Sequence, residues 1–162
     1  MSPKFIHLHL HSEYSLVDGL VRIPELISHC TLNGTAAIAL TDQSNVFGSS
    51  KFFRSAMSAG IKPIIGAELW VVDSENTGKP YKIVFLCQNN LGYKNLSVLL
   101  TRAYREGQHR GIPMVHEDWL TISQLTGIIC LSGGISGDIG LAFLAGNKER
   151  MLRSAAKWQD LI

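Results

Sequence analysis

Two rhythms of apolar and polar positions run along this chain, separated by Gly or Asn-Gly punctuation. Short β-branched and apolar runs have the look of strands, while longer stretches repeat their apolar residues every three or four positions, as helices do. Phe5 to His11 predicts a first strand, with leucines and histidines in alternation. A helix is predicted from Ile23 or Pro24 to Leu32, because proline suits a first helical turn and Asn33-Gly34 supplies a left-handed stop. Ala36 to Thr41 predicts the second strand, and Phe47 to Ala59 sets Phe52, Phe53, Ala56 and Met57 at helical spacing before Gly60. Lys62 to Val72 and Tyr81 to Cys87 predict strands three and four. The polar stretch from Ser74 to Pro80 reads as the turn between them, so one pairing is expected to be an antiparallel hairpin. A helix from about Tyr93 to Arg105 gathers Leu96, Leu99, Leu100 and Ala103 on one face. Glu106 to His116 reads as a loop, a short helical piece carries Trp119, and Gly127 to Ser132 predicts the fifth strand. Met151, Leu152, Ala155, Trp158 and Leu161 fall in helical period over Lys148 to Ile162.

Strands alternating with helices define an α/β fold around a mostly parallel sheet. About five strands are too few to close a β/α barrel, which takes roughly 250 residues, so a truncated fragment is expected. The 162 residues are 46% apolar and 17% charged, the balance of a globular domain and not of a disordered tail. Fifteen basic against thirteen acidic side chains give a net charge of +2, too mild to draw in nucleic acid or a membrane by itself. No apolar run approaches the roughly 18 residues of a membrane span, and the histidine-rich start lacks a signal-peptide core. The expectation is a cytoplasmic protein. Cys30, Cys87 and Cys130 are far apart, odd in number and set in apolar stretches, which fits buried thiols better than a disulfide frame.

Candidate chemistry begins at His7-Leu8-His9-Leu10-His11. On a regular strand, side chains alternate, so three imidazoles share one face and the two leucines take the other. That arrangement fits two readings equally, a row of hydrogen-bonded histidines or a metal site. Asp18, Asp42 and Glu68 fall at or near strand ends, where α/β enzymes keep their chemistry. Carboxylates with histidines form the mixed donor set of zinc, manganese or iron, and two such ions activate water against phosphate esters. Asp42 equally suits a turn or helix cap within Thr41-Asp42-Gln43-Ser44-Asn45, and Asp18 before Gly19 equally suits a plain turn. Glu68 sits among apolar residues, where a carboxylate needs a partner. Lys94, Arg102, Arg105 and Arg110, interleaved with Tyr93 and Tyr104, read as a solvated helix face or a phosphate-binding one. Gly133-Gly134 lacks the Lys-Ser/Thr ending of a P-loop, and the chain has neither a nucleophile elbow nor a dinucleotide fingerprint.

The run from His7 to Gly19 resembles the opening of the PHP (polymerase and histidinol phosphatase) domain of bacterial DNA polymerase III alpha subunits. Thr41 to Asn45, Gly60 to Glu68, Gly92 to Leu96, Arg102-Ala103-Tyr104 and Leu131 to Gly134 are similar to that family's further landmarks, in order. The resemblance spans the whole chain and implies a distorted seven-stranded, TIM-barrel-like β/α barrel, here partial over residues 1–162, with the rest of the domain and all polymerase domains absent. It implies DNA replication as the setting and a DNA-directed DNA polymerase, a nucleotidyltransferase, as the parent. The implied partners are the remaining alpha subunit, a proofreading exonuclease subunit, other replicase subunits and DNA through the parent chain, with no membrane. By the same resemblance His9, His11, Asp18 and Glu68 match family metal-ligand positions. Gln43 and Lys82 stand where intact members carry histidine, and Gly134 stands where many carry cysteine. The expectation is therefore a degenerate, mainly structural site with at most a vestigial zinc or manganese ion, magnesium belonging to the absent polymerase domain. The alternative is an active metal-dependent 3'-5' exonuclease or phosphoesterase.

Overall fold

A computed structural model describes residues 5–73 and 80–162. The expected turn from Ser74 to Pro80 lies, but for Pro80, outside the described residues. The elements in chain order are α1 (Ile23–Leu32), β1 (Ala37–Leu40), α2 (Ser49–Ser58), β2 (Lys62–Val72), β3 (Tyr81–Cys87), α3 (Asn90–Glu106), β4 (Gln108–His109), β5 (Ile112–His116), α4 (Ile122–Leu125), β6 (Ile128–Leu131), α5 (Asp138–Leu144) and α6 (Lys148–Leu161). Single 3-10 turns precede α4 and α5. The fold is mixed α/β. Its sheet has the order β4-β5-β2-β3-β6, with β1 beside β2, and among the described residues its path ends at β4 and β6 without closing. No helix among the described residues is long and apolar enough to cross a membrane.

The chain divides into two compact units that meet in sequence between Ala67 and Glu68. In the first, Pro24 starts α1 and Gly34, at φ 58°, reverses the chain beyond it, as the sequence predicts. Ile23, Ile27 and Cys30 of α1 join Ile38 and Leu40 of β1, Phe52 and Ala56 of α2, and Ile61 in one buried core. Phe52 is fully enclosed, a burial worth ~1.5–3 kcal/mol. β1 pairs in parallel with the first half of β2, Ala37 opposite Lys62 through Leu40 opposite Ile65.

The predicted strand from Phe5 to His11 does not form as a regular strand. The segment runs beside β1 with a bend at Leu8. Ala39 N donates to His7 O and Thr41 N donates to Leu10 O, so three steps on one side match two on the other. The surplus residue breaks the alternation, as a bulge does. His7 is exposed and its ring meets Phe5 edge-on, while His9 and His11 meet each other with ring centroids 5.0 Å apart.

In the second unit the later part of β2 pairs in parallel with β5, Trp70 opposite Met114 through Val72 opposite His116. β3 pairs antiparallel with β6, Val84 opposite Leu131 through Cys87 opposite Ile128. Leu96, Leu99, Leu100 and Ala103 bury the inner face of α3, which lies against β3 and β5. α3 starts before the predicted Tyr93 because the Asn89 side chain accepts from Gly92 N at 3.0 Å. The predicted loop over Glu106 to His116 instead holds the β4-β5 hairpin. Arg110 and Gly111 turn it with φ 52° and 80°, the two left-handed residues of a tight hairpin without its usual Asn-Gly signal.

Candidate metal centre

The first unit builds its polar centre from the segment that follows His11. Ser15 N donates to Ser12 O, Gly19 N donates to Ser15 O, and Glu13 N donates to Val21 O, so the chain from 12 to 21 doubles back on itself. Gly19 is required there, since a Cβ at that position would lie 1.7 Å from Ser12 O. Folding back brings Asp18 to His11, with Oδ1 2.9 Å from His11 Nδ1, and Ser15 Oγ donates to the same oxygen at 2.7 Å. A carboxylate on one imidazole nitrogen fixes the tautomer and leaves the other nitrogen to face a metal ion. Asp18 thus supports His11 from behind.

Asp42 is 1% exposed and accepts from Ser12 N at 2.6 Å and from Ser12 Oγ at 2.9 Å. Burial pushes its carboxyl above the usual range. The Ser12 hydrogen bonds and His11 work against that shift, and nearby Asp18 adds to it. Both carboxylate oxygens hold Ser12, which makes Asp42 an anchor of the loop after β1. Gln43 N donates to Ser15 Oγ, and Asn45 Nδ2 donates to Tyr14 O and Gln43 O, tying the loop after β1 to the segment after His11. Ser12, Ser15 and Asn45 are the positions that the sequence reading missed. Their only signal is the placing of small polar residues directly after the histidine run and after Asp42.

In the second unit Glu68 is 3% exposed in β2. Lys82 of the neighbouring β3 places Nζ 2.6 Å from Glu68 Oε2 and 4.9 Å from the centre of the Trp70 ring. The Gly133-Gly134 turn runs beside the same strand. Gly133 has φ 68°, and a Cβ on it would lie 2.1 Å from Lys82 O. Gly134, at φ 56°, contributes no side chain.

His9 and His11 offer imidazole nitrogens in the first unit, and Glu68 offers a carboxylate in the second. Two imidazoles and a carboxylate suit zinc or manganese by type. Gln43 and Gly134 add no donor of the kind such ions prefer. The ammonium on Glu68 does not suit a metal ion, because a cation arriving at that carboxylate meets a positive charge already in place.

The chain belongs to the PHP domain family, whose model matches residues 7–162. It is similar to DNA polymerase III alpha subunits from Pseudomonas fluorescens (42% identical over 98% of this chain), Vibrio cholerae (41% over 97%) and Escherichia coli (40% over 98%). The chain spans only 13–14% of the length of these curated relatives. Among solved structures, an amidohydrolase from Chromobacterium violaceum is 26% identical over 60% of this chain and 32% of its own, with a TM-score of 0.48.

Proposed function

We propose that this chain is the amino-terminal PHP portion of a replicative DNA polymerase alpha subunit, and that it acts as a scaffold, its old phosphoesterase site no longer catalytic. The observation that carries this is the roughly uniform 40–42% identity to such subunits over 97–98% of the chain. In this reading nucleotide addition belongs to the parent protein, in the cytoplasm, with magnesium held by a polymerase domain elsewhere. The domain's partners are the rest of that subunit, the proofreading exonuclease and other replicase subunits.

The donor chemistry supports the reading that catalysis is lost. Asp18 and Asp42, which could have supplied further negative charge, are engaged with His11, Ser15 and Ser12. Gln43 is a weak neutral donor and Gly134 none, so a cluster of ions that clamps a phosphate lacks its ligands. A second reading, an active metal-dependent phosphoesterase or exonuclease, is favoured by the donor types present, the His9 and His11 imidazoles of the first unit and the Glu68 carboxylate of the second. An ion held there would supply an activated water and polarise a phosphate oxygen. The residues' own part would be simpler: Asp18 orients His11, and Asp42 fixes the Ser12 backbone next to it.

One assay separates the two. The purified chain is incubated with end-labelled single-stranded DNA and manganese or zinc, beside a His9→Ala variant. The scaffold reading expects nucleotide release equal to background in both. Metal-stimulated release by the wild type that His9→Ala abolishes would establish the phosphoesterase instead.

A further inference from the structure

We propose that Lys82 is a built-in cation that takes, at Glu68, the place of a divalent ion and makes this domain independent of metal. The inference rests on the scaffold reading and extends it by naming what occupies the old carboxylate position. Glu68 lies within β2 between Ala67, fully buried, and Leu69, 1% exposed, and is itself 3% exposed. A carboxylate shielded to that degree requires a counter-charge or an extensive set of donors. Lys82 meets the requirement from the adjacent strand. The ion pair is short, at 2.6 Å, and both side chains are shielded, with 18% of the lysine and 4% of the glutamate exposed. At that distance the bond is charge-assisted. The Trp70 ring, 4.9 Å from the ammonium, adds a second attraction and covers it.

Lysine suits this role for reasons of chemistry. Its ammonium is a compact point charge on a flexible stem, so it reaches a carboxylate oxygen much as a small cation does. It is not exchangeable with solvent, and chelators cannot remove it. Binding of the ammonium and of a divalent ion to the same carboxylate is mutually exclusive in charge, and such antagonism is reciprocal: what Lys82 gives to Glu68 is what a metal must displace. A histidine at this position would donate to a metal; lysine opposes one.

The test is metal binding and melting, with no enzymatic readout. Zinc and manganese are titrated calorimetrically into the wild-type chain and into Lys82→Met, Lys82→His and the Lys82→Met/Glu68→Gln double variant, and melting is followed with EDTA or metal present. The wild type is expected to melt within about 1 °C of itself in EDTA and in zinc, the shift of a ligand present below its Kd. Lys82→Met is expected to melt lower in EDTA, to bind zinc about 100-fold more tightly than the wild type, and to recover stability in zinc. The double variant is expected to lose that zinc response, which assigns it to Glu68. Should Lys82→Met not fold in EDTA, zinc must restore it, and Lys82→His must show the same gain in affinity.

Stoichiometric tight zinc or manganese in the wild type overturns the proposal, as does the absence of any gain in both lysine variants. Failure here is distinct from failure of the scaffold reading, which depends on nucleotide release alone.

Discussion

Ser44 carries two costs at once. It has φ 54°, in the left-handed region that non-glycine residues avoid at ~1–2 kcal/mol, and it is 4% exposed. Among the described residues its Oγ has no hydrogen-bond partner, a burial that costs about 1–3 kcal/mol. Glycine would remove both and give back ~1 kcal/mol through the entropy of the unfolded chain. Ser44→Gly is therefore expected to stabilise the fold by about 1–2 kcal/mol, raising Tm by several degrees in a thermal melt. A Tm at or below the wild-type value would show that the hydroxyl has a role that its position hides. At this scale residue type made some groups legible: His9, His11 and Glu68 stand out in the sequence as donor types, and Lys82 as a charge whose carboxylate partner is Glu68. Ser12 and Ser15 were not, because a hydroxyl acquires its part only when the chain from 12 to 21 doubles back, and that reversal turns on Gly19 fitting against Ser12 O. His7 was misassigned for a related reason, since a single surplus residue beside β1 ends the alternation on which its placing depended.

Among the elements, α6 depends on polar contacts as much as on its apolar stripe. Trp158, 6% exposed, donates from Nε1 to Asp138 Oδ2 at 2.9 Å, and Lys157 Nζ lies 3.3 Å from the same oxygen and also meets Glu117, which accepts from the Tyr81 hydroxyl. Asp138 is 3% exposed and opens α5, where its Oδ1 accepts from Ile139 N. Asp138→Ala would strand a buried indole N–H and remove one of the carboxylates that Lys157 meets. The expected cost is ~2–4 kcal/mol, read as faster hydrogen exchange along α6 than in α3. Unchanged exchange in α6 would mean that its apolar contacts alone hold it. The amphipathic period of α6 was plain in the sequence, but the Asp138 tie was not, for it joins residues twenty positions apart. The β4-β5 hairpin was likewise illegible: its turn is Arg110-Gly111, and Pro113 within β5 reads as a break in any local pattern.

For the molecule as a whole, thiols contribute to the alkaline side of the stability curve; Cys30 is buried as expected, whereas Cys87 and Cys130 are half-buried. Burial pushes Cys87 up to about 11 and Cys130 up to about 12, from 9.0 in an exposed chain. Their folded pKa values are raised, so their contribution is complete below pH 9.0 and is lost as pH rises toward 11–12, where the unfolded chain alone gains from ionising. Each thiol takes away up to ~1.4 kcal/mol per pH unit across that window. Urea denaturation at pH 8 and pH 10.5 should show the fall, with a shallower slope in Cys130→Ala; equal slopes in the two proteins would refute the assignment. The α/β class was evident because most of the strands and helices declare their period, whereas the sheet order was not, since β2 changes neighbours midway. Its first half lies along β1 and its second along β5. That shared strand has an evolutionary corollary. Adding or deleting one residue between Ile65 and Glu68 would send every later side chain of β2 to the opposite face, parting Glu68 from Lys82 and setting an apolar neighbour against the ammonium in its stead. Length changes should therefore be purged from this stretch far more strictly than substitutions.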